Sequence, residues 1–110
     1  MILCAASSYE KKYYLDPAFE DLPQQVRDEL KSACVLFTEE VGGVIILEFD
    51  EEGELMIKTR ADDSDIYYDE IGAGLQIRRF REEKEDLFRS LEIYYSVFYG
   101  SGDPYDRMDS

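Results

Sequence analysis

The sequence predicts an α+β domain: a small antiparallel sheet centred on a hairpin at residues 43–60, with two helices, at about 23–41 and 70–99, packed on one face. Three observations carry this. Val26, Leu30, Ala33, Cys34, Phe37 and Val41 recur at helical spacing. Two runs of strand-forming residues, Val44 to Phe49 and Glu54 to Arg60, flank Asp50-Glu51-Glu52-Gly53, a turn with Gly53 at its left-handed position. Ile77, Phe80, Lys84, Leu87, Leu91, Tyr94 and Phe98 alternate spacings of three and four, the rhythm of a helix laid along a partner.

Taken in order, Ile2 to Ala6 is short, apolar and strand-like. Ser7-Ser8-Tyr9-Glu10 has the pattern of a helix capping box, yet Tyr9 to Leu15 also alternates as a strand would, and both readings stand. Asp16-Pro17 breaks whichever element precedes it. Pro23 sits in the first turn of the next helix, and Gly42-Gly43 end it. Leu55, Ile57 and Thr59 face one way on the second hairpin strand, and Met56, Lys58 and Arg60 the other. Ile66-Tyr67-Tyr68 reads as a short strand before the long helix. That helix has Asp65, Asp69 and Glu70 at its positive end and Gly100 at its C-terminus. Gly72 and Gly74 weaken its first turns, moving the expected start toward Leu75.

A chain of 110 residues forms one domain, here over 1–99, with 100–110 as a flexible tail. Its net charge of −14 repels nucleic acid, anionic membranes and anionic substrates. The acids cluster: residues 39–54 hold Glu39, Glu40, Glu48, Asp50, Glu51, Glu52 and Glu54 without a Lys or Arg. Asp50, Glu51, Glu52 and Glu54 make a candidate acidic patch for a basic protein partner, or for mimicry of DNA. The arginines of 78–89 alternate with glutamates four residues away, a solvated helix surface rather than a phosphate contact. The two cysteines, Cys4 and Cys34, form no secreted framework. No secretory signal and no run of about 20 apolar residues is present, so a cytoplasmic protein with reduced thiols is expected.

No catalytic pattern emerges. The chain contains no His, so a nucleophilic Cys34 would lack its usual base. Gly72-Ala73-Gly74 lacks the third glycine of a dinucleotide loop, and no phosphate loop occurs. Asp62, Asp63, Asp65 and Asp69 are oxygen-rich but lack EF-hand spacing. Among nine tyrosines, the pairs Tyr13-Tyr14, Tyr67-Tyr68 and Tyr94-Tyr95 should each set one ring in the core and one at the rim.

Ser7-Ser8-Tyr9-Glu10 with Lys12-Tyr13-Tyr14-Leu15, Cys34-Val35-Leu36-Phe37-Thr38-Glu39 with Val41-Gly42-Gly43, and Tyr68-Asp69-Glu70-Ile71-Gly72 together resemble a further grouping. It is a family of small acidic proteins of unknown function from Gram-positive anaerobic gut bacteria. The resemblance covers the chain up to about Phe98 and implies no activity.

The function expected is therefore that of a non-enzymatic interaction module without a cofactor. A homodimer would form through Ile77, Phe80, Lys84 and Leu87, because the narrow apolar face there is expected to lack an intrachain cover. A small-molecule or metal-ion binding module and an acidic DNA mimic are the alternatives.

Overall fold

A computed structural model describes residues 1–99. The tail at 100–110 and the cap at Gly100 lie outside the described residues. Four strands, β1 (Ile2–Ser7), β2 (Lys12–Leu15), β3 (Val44–Phe49) and β4 (Leu55–Arg60), form an antiparallel sheet in the order β2-β1-β3-β4. The ambiguous segment after Ser7 resolves as a hairpin: Ser7 pairs with Lys12, and Cys4 with Leu15. The Ser7 hydroxyl accepts the Glu10 N–H across this turn instead of opening a helix. Lys11 takes a left-handed conformation (φ 55°), which costs a non-glycine residue roughly 1–2 kcal/mol and closes the turn.

The register divides the sheet into two faces. Cys4 stands between Leu15 and Leu47, Ala6 between Tyr13 and Ile45, and Leu55 opposite Phe49. These residues point toward the helices, and Cys4, Ala6, Ile45, Leu47, Phe49 and Leu55 are buried. A register shift between Ile2 and Cys4 turns Leu3 inward as well. The opposite face, with Lys12, Tyr14, Met56, Lys58 and Arg60, is exposed.

Among the described residues there are three α-helices, not two. Helix α1 (Gln24–Val41) lies across β1 and β3, with Leu30, Cys34, Phe37 and Thr38 buried. The expected single helix at 70–99 is two: α2 (Glu70–Glu83), which packs on α1, and α3 (Glu85–Phe98), which packs on β4. They are hinged at Lys84, whose backbone (φ −110°, ψ 21°) leaves helical geometry. The hinge has a packing cause: Phe80 must meet Phe37 edge-on at 5.7 Å, while Tyr95 must stack on Phe49 at 4.1 Å. Phe88 joins the two, 5.6 Å from Phe80.

Helix α2 also starts at Glu70 rather than near Leu75, because Asp69 caps it by accepting the Ile71 N–H at 3.1 Å. That bond and the negative charge at the N-terminus offset the weakness of Gly72 and Gly74. Ile66-Tyr67-Tyr68 is a turn rather than a strand, since Asp65 accepts the Tyr67 N–H and no strand lies alongside. A 3-10 turn at Pro17–Phe19 places Phe19 at the centre of an aromatic cluster with Phe49, Tyr94 and Tyr99.

Candidate functional site

The segment joining β4 to α2 is polar in sequence and rigidly built in structure. The Asp62 carboxylate accepts both the backbone N–H and the hydroxyl of Ser64, which hold its pKa below the usual carboxylate range. Asp65 accepts the Tyr67 N–H at 3.1 Å and the Tyr9 hydroxyl at 2.7 Å. The Tyr9 oxygen in turn accepts the Asp62 N–H at 2.9 Å, so the β1–β2 turn is tied to this loop. The bond to Asp65 is the leading cause of the raised pKa of Tyr9. Tyr68 packs over Gly43, where an added Cβ would lie 2.5 Å from the Arg60 carbonyl oxygen.

This scaffold holds apolar side chains in water. Tyr67 is 90% exposed, Ile66 83% and Ile71 80%, the three most exposed large apolar residues among those described. Leu75, one helical turn after Ile71, extends the strip along α2. Asp62, Asp63, Asp65, Asp69 and Glu70 rim it, and the nearest cations along the chain are Arg60 and Arg78. The three flanking carboxylates, Asp62, Asp65 and Asp69, accept local hydrogen bonds that fix the loop and the start of α2. In the sequence this surface has the pattern of a short strand, Ile66-Tyr67-Tyr68, after a polar connection.

The residues singled out from sequence fall elsewhere. Asp50, Glu51, Glu52 and Glu54 do form the β3–β4 turn, at the far end of β4 from the strip. Asp50 is structural: its carboxylate accepts the N–H groups of Glu52 and Glu54 at 2.8 and 2.9 Å. Glu51, Glu52 and Glu54 are exposed.

The helix seam is covered within the chain, contrary to expectation. Phe80 is 8% exposed, and Ile77 and Leu87 pack against the same core. Phe80 meets Phe37 of α1, on which α2 packs. Of the expected helix ion pairs, Arg79–Glu83 and Glu85–Arg89 form at 3.0 and 2.9 Å. Arg81 instead lies over the Phe88 ring and reaches the Leu55 carbonyl. Tyr13-Tyr14 and Tyr67-Tyr68 each set one ring inward and one outward, whereas Tyr94 and Tyr95 both pack against the core.

Beneath the β1–β2 hairpin, the Cys4 and Cys34 sulfurs lie 3.9 Å apart, buried and unbridged. Hydrogen bonding to Cys4, then burial, pushes the Cys34 pKa up. Such a thiol is a weak nucleophile, since the thiolate is the reactive form. Among the described residues no three Cys, Asp or Glu side chains converge as a metal site requires. No described helix is long and apolar enough to cross a membrane.

Comparison with known proteins adds a family without an activity. No curated protein and no solved structure matches the chain. Residues 1–103 match a family of unknown function, DUF6145, and the chain belongs to that family.

Proposed function

We propose that the chain is a cytoplasmic protein-interaction module whose acid-rimmed apolar strip receives a basic segment of a partner protein. The observation that carries this is the exposure of Ile66 and Tyr67 on a hydrogen-bonded loop, with Ile71 beside them in the first turn of α2. Soluble surfaces seldom hold large apolar side chains together in water without a use for them. Tyrosine and isoleucine supply a desolvated centre, and the acids supply a polar rim. The rim selects the sign of the partner: five carboxylates favour lysine and arginine and oppose a second copy of the same surface.

The reading is tested with a panel of basic amphipathic peptides, each carrying one aromatic or leucine anchor, titrated into isotope-labelled protein. Amide signals of Ile66, Tyr67, Ile71 and Leu75 should shift. Tyr67→Ser and Ile71→Ser should each weaken binding about tenfold or more, as loss of an interface anchor does. Binding should also weaken with salt. Shifts elsewhere with none on the strip, or binding indifferent to both substitutions, would sink the proposal.

A further inference from the structure

We infer that the cleft between the β1–β2 turn and α1 is a binding site for a small organic phosphate. The cleft holds about 800 Å³, in the range of small-molecule sites. The turn and β2 supply Lys11, Tyr13 and Lys12, the last at the rim where this cleft meets the outer face of the sheet, and α1 supplies Lys31 and Val35, which are one helical turn apart. Three of the 12 cationic residues of a strongly acidic chain thus converge on one hollow, where Glu39 is the single acid on the lining. Chance placement on a surface with 26 acids would surround them with carboxylates.

Among the described residues these lysines share with Arg27, Arg60, Arg78, Arg81 and Lys84 the lack of an ion-pair partner. Lys58, Arg79 and Arg89 each have an ion-pair partner. Lys11, Lys12 and Lys31 form no such pair among the described residues. The Ser8 hydroxyl, also on the lining, makes no hydrogen bond among the described residues and remains available as a donor. Three lysine charges less one glutamate charge leave two, matching a phosphate monoester, which carries about −1.5 to −2 near neutral pH. The Tyr13 ring and Val35 give the organic part an apolar wall. The overall −14 charge does not forbid this, because screening shortens its reach to about 8 Å at physiological ionic strength.

The experiment titrates isotope-labelled protein with phenyl phosphate, inorganic phosphate and benzoate at constant ionic strength. Phenyl phosphate should give saturable shifts at Ser8, Lys12 and Val35, at lower concentration than inorganic phosphate. Lys12→Gln and Lys31→Gln should each weaken it about tenfold, with unchanged thermal unfolding, and Lys58→Gln should leave it as it was. No saturation by about 10 mM phenyl phosphate would overturn the site. Equal affinity in the Lys12 and Lys31 variants would do the same, and benzoate binding as tightly would overturn the assignment to phosphate.

Discussion

Tyr13 has the one buried side-chain oxygen without a hydrogen-bond partner among the described residues. Burial, followed by the neighbouring Cys4 and Cys34, drives its pKa above the ordinary tyrosine value. An unsatisfied buried hydroxyl costs about 1–3 kcal/mol, so Tyr13→Phe should leave stability unchanged or raise it by about 1 kcal/mol in urea unfolding. The raised values also set a pH dependence. The unfolded chain releases the Cys34 proton above about pH 8.5 and the Tyr13 proton above about pH 10, while the folded chain keeps both. The folded state then binds more protons, so stability present below these values is lost as pH rises. The urea midpoint should fall from about pH 8.5 upward, less steeply above pH 10 in Tyr13→Phe; a flat midpoint would contradict the linkage. At the seam, Phe80 packs between Phe37 and Phe88, so Phe80→Ala should cost about 3–5 kcal/mol. Stability preserved in Phe80→Ala would place the ring at a surface.

Connections between elements depend on backbone geometry more than on side-chain character, and two adjacent glycines show how. Gly42 and Gly43 both have positive φ, at 83° and 73°. A Cβ at Gly42 meets nothing, whereas one at Gly43 meets the Arg60 carbonyl oxygen and the Tyr68 ring. Gly42→Ala should therefore cost about 1–2 kcal/mol and Gly43→Ala distinctly more, as read by chemical unfolding. Asp50→Ala should cost about 1 kcal/mol through its two turn bonds, with Glu51→Gln near neutral. The elements themselves were legible in sequence wherever periodicity and punctuation agreed. Helix α1 has its stripe, its proline and its glycines, and the β3–β4 hairpin has Gly53 (φ 84°) where the turn requires it. The break at Lys84 was not legible, because Arg78 to Phe98 contains neither glycine nor proline and its rhythm continues unbroken. Only the tertiary demand for two packing directions divides it. Phe19 was missed for a related reason: one aromatic residue between Pro17 and Pro23 carries no period. The strip at 66–75 was hidden because Ile66-Tyr67-Tyr68 satisfies a strand pattern, and only the Asp65 bonds turn it into an outward-facing loop.

At the scale of the molecule, charge and shape act together. The folded body measures 52 × 29 × 23 Å and the chain carries a net −14, so like charges repel over a surface with little counter-charge. The compact state pays for this repulsion, and added salt should relieve it: the screening length falls from about 10 Å at 0.1 M to about 3 Å at 1 M. Thermal unfolding should move to higher temperature between those concentrations, in contrast to a protein held by exposed ion pairs. The same repulsion governs self-association. A homodimer through Ile77, Phe80, Lys84 and Leu87 would need Ile77, Phe80 and Leu87, which already pack against the core. A dimer through Tyr67 and Ile71 would bring two acidic rims together. Light scattering at about 0.02 M salt, where screening is weak, should therefore give the monomer mass of 12.8 kDa. Association that appears only at high salt should use the strip, the larger apolar exposure, and Tyr67→Ser should abolish it while Phe80 stays buried. A dimer mass already present at low salt would show that apolar contact outweighs the repulsion, and would return the helix seam to consideration.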